Sequence, residues 1–334
     1  MPTTDPDEAA IFAPPGPIML GVSSCLLGEP VRHDGGHKRH DYVTGTLGRY
    51  FTFVAVCPEA AIGLGVPRPT IRLEGDPAQP RAVQPRTGAD VTARLAAHGA
   101  AMADALGHLS GYIFKSKSPS CGMARVRVHP RPGAPPARAG APARTGRGIY
   151  AQALLARLPL LPVEEVGRLG VAALRENFIE RVFAYRRWQA LLQAGPTAAR
   201  LLRFHDRHRL ALLAHGQVPA RALERLADAA AAGAPAVRVQ RYGAAFMALL
   251  ARKATPRSHT RVLQHLAGRL QRQLDAADRA ELLEVLEAYR LQRLPLIVPL
   301  TLLRHHFRRH PDPDVQGQTY LEPHPDELLL RNGV

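Results

Sequence analysis

The sequence is short of cysteine, of aromatic residues and of long apolar runs, and each shortage narrows what the chain can be. Three cysteines in 334 residues are an odd number, which argues against a disulfide framework. No positively charged apolar leader opens the chain, so the expected compartment is reducing and cytoplasmic. Thiols left over in such a compartment point to metal rather than to bridges. The longest apolar candidate, Leu294–Leu303, is ten residues long and contains two prolines. It falls well short of the ~18 residues that a membrane-spanning helix needs, so no membrane partner is expected. Also missing are a C-x₂-C zinc knuckle and the H-x-E…P-C-x-x-C pattern of zinc deaminases.

What is present suggests two domains, on a prior of about 150 residues each. Hydrophobic residues make up 46% of the chain, ordinary for a globular protein with a sizeable core. The formal charge is +16 and uneven. Residues 1–165 hold 18 Lys or Arg against 13 Asp or Glu, a net +5; residues 166–334 hold 26 against 15, a net +11. A basic excess gathered in one half is the electrostatic footprint of a nucleic-acid partner, although a merely soluble basic surface has the same composition.

The three cysteines sit in similar settings. Cys25, Cys57 and Cys121 each follow an apolar run of strand length: Ile18–Val22, Phe51–Val56 and Gly111–Phe114. Each is flanked by Gly, Pro or Ser, which make loops rather than packed core, and loops carry function. Ligand sites of open α/β sheets gather beyond the carboxyl ends of strands, so three distant thiols are expected to meet. A buried, inert cysteine remains the bland alternative for any one of them. Three soft thiolates suit zinc or an iron–sulfur cluster. A four-iron cluster normally takes four cysteines, and three would leave one iron open to act as a Lewis acid.

Residues 1–17 are Pro-rich and acidic and read as a disordered tail. Phe51–Val56 is apolar enough to be a central strand. Val91–Leu106 has helical spacing, and Met123–Val128 alternates like an edge strand. His129–Gly148 is a tract of Pro, Ala, Gly and Arg without periodicity, expected to be a flexible basic insertion that helps capture RNA or is dispensable. From Val166 onward the pattern turns helical, with stretches at Val166–Leu192, Thr197–Ala214, Pro219–Ala232, Val239–Ala254, Arg257–Gln273 and Ala276–Gln292. The expected fold is therefore an α/β Rossmann-like N-terminal domain (18–165) with a largely parallel sheet, plus a C-terminal all-α domain (166–334).

The segments Ser24-Cys25-Leu26-Leu27-Gly28-x-x-Val31-Arg32-x-Asp34-Gly35, Val56-Cys57-Pro58-Glu59 with Pro67-Arg68-Pro69, and Lys115-x-x-Ser118-Pro119-Ser120-Cys121-Gly122 resemble the thiouracil desulfurase (TudS) family. The resemblance covers about the first half of the chain. It implies a [4Fe-4S] cluster held by Cys25, Cys57 and Cys121, with one open iron that takes the sulfur of a thiolated pyrimidine. The second half resembles the YbgA-like helical domain through Phe204-His205, Arg207-His208-Arg209, His259, Val262-Leu263-Gln264-His265, Pro295–Pro299 and Tyr320-Leu321-x-Pro323-His324-Pro325. Fusions of the two resemble RudS-type desulfidases, which act on 4-thiouridine in tRNA. On that reading Glu59 is the water-activating base, with Asp34 as a second candidate. Ser120 or Lys115 would hydrogen-bond developing charge. Arg68 would hold a phosphate or a uracil-type carbonyl, or simply lie on the surface. Arg203, Arg207, His208 and Arg209 would form a wet basic helix face for RNA phosphates. Desulfuration of free 2-thiouracil or thionucleosides, a zinc-thiolate hydrolase, and a non-catalytic iron–sulfur sensor that binds RNA stay open as alternatives.

Overall fold

The computed structural model describes residues 10–131, 141–231, 236–328 and 330–332. It divides into two compact units: Gly16–Gly170, and a second made of Val171–Val334 together with the N-terminal segment ending at Pro15. The first unit holds two four-stranded sheets. One is all parallel and consists of β1 (Ile18–Ser23), β2 (Phe51–Val56), β5 (Gly111–Phe114) and β8 (Val163–Glu165), in the order β2-β1-β5-β8. The other is mixed, in the order β4-β3-β6-β7. Its strands are β3 (Arg72–Glu74), β4 (Arg81–Val83), β6 (Val126–His129) and β7 (Ala143–Gly146).

The two inner strands of the parallel sheet are the best covered. β5 is buried throughout, and β1 is buried from Leu20 to Ser23. Gly21 makes this possible, because a Cβ there would meet the Tyr112 ring at 2.3 Å and Leu109 at 2.9 Å. Tyr112 in turn stacks on Phe114 with ring centroids 4.1 Å apart. β2 lies at the sheet edge and leaves Thr52 and Ala55 exposed, so its expected central place is corrected. An apolar run reports covered faces, not the number of neighbouring strands.

The chain leaves β1 for β2 on one side and returns to β5 on the other, so its connections diverge at β1. That is the switch point where open α/β sheets place ligands. The mixed sheet packs Leu73, Ala82, Val126 and Val128 with Val91, Leu95 and Ile149 in one apolar cluster. Val91 precedes the helix Thr92–Ala105, and Ile149 begins the helix Ile149–Arg157. Part of the expected insertion is thus ordered. β6 and β7 pair antiparallel, His129 closes β6 and Gly148 caps a helix. Residues 132–140 lie outside the described residues.

The second unit is all helical among its described residues: Ala172–Gln193, Ala198–His215, Gln217–Ala231, Ala236–Leu250, Pro256–Leu270, Ala276–Arg290 and Ile297–Arg309. Three starts are capped by side chains. Thr197 accepts from the Arg200 amide, Asp275 from the Asp278 amide, and Thr255 with Ser258 forms a reciprocal capping box. The last helix contains Pro299 within its first turn, where no intrahelical donor is required. Its apolar face joins Leu300 and Leu303 to Leu210, Leu263, Leu266 and Tyr320.

A second core is aromatic, with Phe204 against Trp188, Tyr242 and Phe246. Phe12 stacks on Phe204 at 6.1 Å, and Ile11 is only 3% exposed. The expected disordered tail over 1–17 therefore does not hold for residues 10–15, whose two large apolar side chains have a core to enter; residues 1–9 lie outside the described residues. No described helix is long and apolar enough to cross a membrane.

Candidate metal and active site

The carboxyl ends of β2, β1 and β5, three adjacent strands, each lead to a cysteine. Cys25 lies in the single 3-10 turn Ser24–Leu26 that follows β1. Cys57 is the residue after Val56, which pairs with Ser23 of β1, and it caps the short helix Pro58–Ala61. Cys121 lies in the loop after β5. All three line one cavity of about 350 Å³, together with Ser23, Arg32, Glu59, Arg68 and Lys115. All three are free thiols.

Their electrostatics bear out the proximity. Burial pushes the Cys25 thiol up, Lys115 pulls it back, and Cys57 raises it again. Burial likewise raises Cys57, against the amide of Ala60 and with the charge of Glu59. Cys121 is raised furthest, by burial first, then by Glu59, with Cys57 and Cys25 adding to it. Burial and mutual repulsion thus raise all three thiols. They would release protons only to a cation that pays their desolvation.

The Cys121 loop is held from four sides. Ser118 Oγ accepts from the amides of Ser120 and Cys121 at 3.2 and 3.1 Å. Glu165 Oε1 accepts from the Met123 amide at 2.8 Å. Ser120, fully buried, donates its hydroxyl proton to Glu59 Oε1 at 2.8 Å. Gly148 donates to the Gly122 carbonyl at 2.7 Å, and a Cβ on it would meet the Ser120 carbonyl at 2.5 Å. Only glycine lets the start of the helix Ile149–Arg157 press against this loop.

Glu59 is oriented on both oxygens. Arg68 Nε and Nη2 donate to its Oε2 at 2.9 and 2.7 Å, and Ser120 occupies one side of Oε1. Arg68 is itself 3% exposed, and its Nη1 donates to the Gly65 carbonyl at 2.9 Å. The guanidinium is thus committed to the protein, which corrects its expected role as a phosphate or carbonyl holder. The hydroxyl proton of Ser120 is likewise spent on Glu59, which corrects its expected role at developing charge. Oε1 of Glu59 keeps one lone pair that is not used by Ser120.

Lys115 is half-buried at the cavity wall. Its Nζ donates to the Ser116 carbonyl at 3.1 Å, and burial first, partly offset by Cys25, lowers its pKa. Its amide donates to Ser23 Oγ at 2.9 Å, so Ser23 ties β1 to the end of β5. Asp34 is not on the cavity wall. Its side chain is 49% exposed and pairs with Arg32 at 3.3 Å. The Gly36 amide, followed by Arg32, holds its carboxyl down to about 2. That removes Asp34 as a second base candidate.

The four side chains expected to face RNA do not form one wet face. His208 is 1% exposed, has its Nδ1 2.7 Å from the Phe204 carbonyl and packs on Phe204 and Phe246. Burial, then Arg187, lowers its pKa to about 3, so it stands neutral inside the core and cannot meet a phosphate. Phe204 and His208 share an inward face because they are one helical turn apart. Arg207 lies over the Phe12 ring at 4.8 Å, and Arg209 pairs with Asp206 at 3.4 Å. Arg203 is exposed.

Three comparisons bear on this arrangement. Residues 20–166 match the family described as 2-thiouracil desulfurase, a span that contains all three cysteines. Residues 209–325 match the family described as "Protein of unknown function (DUF1722)". YbgA of Escherichia coli (strain K12) is 33% identical over 158 residues, 47% of this chain and 94% of its own. A solved structure, the [4Fe-4S]-dependent thiouracil desulfidase TudS, is 31% identical and covers 47% of this chain and 97% of its own, with a TM-score of 0.37.

Proposed function

We propose, for a chain that belongs to the YbgA-like family and carries an N-terminal 2-thiouracil desulfurase domain, that its thiol-lined cavity hydrolyses the thiocarbonyl of 4-thiouridine in tRNA. The overall change is C=S plus water to C=O plus hydrogen sulfide, with no net oxidation or reduction. The observation that carries the reading is the meeting of Cys25, Cys57 and Cys121 in one cavity whose wall also holds a doubly anchored carboxylate, Glu59.

The donor set fits an iron–sulfur cluster. It is three soft thiols with no fourth cysteine in the chain. Among the described residues no three His, Cys, Asp or Glu side chains gather tightly enough for a single ion. When bound, such a cluster would supply one iron without a cysteine ligand, a Lewis acid for sulfur.

The chain's own residues do the rest. Arg68 and Ser120 hold Glu59 so that the spare lone pair of Oε1 can accept a proton from a water adding to the pyrimidine carbon. Lys115 and Arg32 place positive charge at the wall, offsetting three thiolates and any charge gathered during addition. The +11 balance of residues 166–334 supports a polynucleotide as the carrier of the base. A second reading, turnover of free 2-thiouracil, is favoured by the description of the matched family.

The test is purification without oxygen, then incubation with 4-thiouridine-containing tRNA and with free 2-thiouracil. Release of sulfide with loss of 4-thiouridine from the tRNA is expected. Turnover of the free base alone would replace this reading with the second. Iron-free protein holding one zinc would remove both.

A further inference from the structure

A second, broader cavity of about 870 Å³ adjoins the thiol-lined one and shares Lys115, Ser116, Lys117 and Pro119 with it. Its walls come from the loop after β5, the residues after β8, and the exposed side of the mixed sheet at β3, β6 and β7. Seven Lys or Arg side chains line it, against one glutamate. That glutamate, Glu165, is turned to the amides of Met123 and Ala124. Arg72 and Arg168 are neutralised by Glu74 and Glu164, each at 2.6 Å.

Lys117, Arg125, Arg127 and Arg144 have no carboxylate partner among the described residues, and all four are exposed. Arg127 and Arg144 project from adjacent antiparallel strands. Lys117 and Arg125 stand at φ +61° and +55°, a left-handed conformation that long side chains seldom adopt. Like charges gathered without counter-charges repel one another, so an unneutralised row beside a reactive cavity favours an anionic occupant. The shared wall means that the occupant would run into the cavity where the base reacts. A free base carries no phosphate, and a mononucleotide carries too few to meet four separate cations.

We infer that this groove holds the phosphate backbone of the RNA strand flanking the reacting nucleotide. The inference rests on the tRNA reading above and deepens it, placing substrate recognition on the catalytic unit itself as well as on the helical one. Phosphate contacts of this kind fix register without reading sequence. The groove should therefore tolerate any flanking bases and lose grip as salt rises.

The experiment uses the full chain carrying Arg125→Gly, Arg127→Ala and Arg144→Ala together, with Arg127→Ala alone as the lighter variant. Melting temperature is measured first, since all three side chains are exposed and Arg125→Gly relieves a left-handed residue. Binding of unthiolated tRNA is followed from 50 to 200 mM salt. Turnover is measured on thiolated tRNA and on free 2-thiouracil or 4-thiouridine. The triple variant should bind tRNA at least about tenfold more weakly, with a log–log salt slope smaller by about 2–3. KM on tRNA should rise with kcat held, and the small substrates should react as before; the single variant should show a lesser loss in the same direction. If wild-type protein acts on thiolated tRNA and both variants bind tRNA with its affinity and slope, the groove assignment is wrong while the tRNA reading stands. Wild-type protein that turns over only free base overturns the tRNA reading and the groove with it.

Discussion

The two units use buried polar side chains in opposite ways. In the helical unit Glu180 faces His215 at 3.3 Å and Arg331 at 4.0 Å, Glu176 pairs with Arg331, and His259 meets the Tyr320 hydroxyl at 3.0 Å. These groups partner one another inside the helical unit, and none of them lines the thiol cavity. In the α/β unit Glu59 and Arg68 are paired just as closely, yet the pair stands at the wall of a cavity beside three thiols. A buried ion pair becomes a candidate site through what lies next to it, not through the pair itself.

The strongest way to break this comparison is to remove a thiol. Cys25→Ala, Cys57→Ala or Cys121→Ala should each abolish bound iron and sulfide release. The melting of the helical unit should not move, because the three thiols line a cavity built by the α/β unit's own residues. Iron analysis beside calorimetry checks both halves of the expectation.

Next in size is Glu59→Gln. It leaves Arg68 buried opposite a neutral amide, which should cost on the order of 3 kcal/mol of stability in the α/β unit and remove turnover. Iron retained with turnover lost supports the base role. Iron and turnover lost together would make the Glu59–Arg68 pair a structural one, like Glu180–His215.

Acid should sharpen the contrast. Burial lowers His208 and His259 to about 3 and His324 to about 4. Each is neutral when folded and takes a proton at about 6.5 when unfolded. Their contribution is therefore fully present above about pH 6.5 and is lost as pH falls toward 4, by about 2 kcal/mol each at pH 5. His215 runs the other way. Burial lowers it but Glu180 outweighs burial and raises it, so its contribution is present at acid pH and is lost as pH rises through its folded value. His205, His265 and His306 are lowered by burial as well, so among the described residues six histidines of the helical unit are lowered and one is raised, against two lowered, His98 and His129, in the α/β unit. The helical unit should therefore melt earlier than the α/β unit between pH 7 and 4.5, as followed by circular dichroism. The smallest effect is expected from Asp34→Asn, which changes an exposed residue off the cavity wall and should leave turnover unchanged in a steady-state assay.

Much of the site is legible in the sequence because its three strands are apolar runs that stop at Gly, Pro or Ser beside a cysteine. Six of the seven described helices of the second half are equally plain from their apolar spacing. Of the mixed sheet only β6 is legible, from the alternation in Met123–Val128, and it is an inner strand rather than the expected edge one. The other strands are three or four residues long, as in Arg72–Glu74 and Ala143–Gly146, too short to display a period of two. The helix Ile297–Arg309 hides behind Pro295 and Pro299, which read as breakers although they fall where a helix begins. His208 misleads through its residue type: a polar side chain on a basic-looking turn, it faces aromatic rings because Phe204 lies four residues before it. The commitment of Arg68 to Glu59 and of Gly148 to the Cys121 loop are long-range facts. No local pattern announces them, although a glycine just before an apolar run is the kind of residue a close approach requires.

The placement of Ile11 and Phe12 has a practical side. Ile11 and Phe12 pack with the last half of the chain, so the α/β unit is a guest spliced into a helical host, joined to it by peptide links at both Pro15–Gly16 and Gly170–Val171. Cutting at Val171 would not liberate an intact host; it would strip the ring that covers Phe204 and His208 and leave sticky apolar surface behind. Dissection of the two units is better done by excising residues 16–170 and bridging the gap than by truncating from the front.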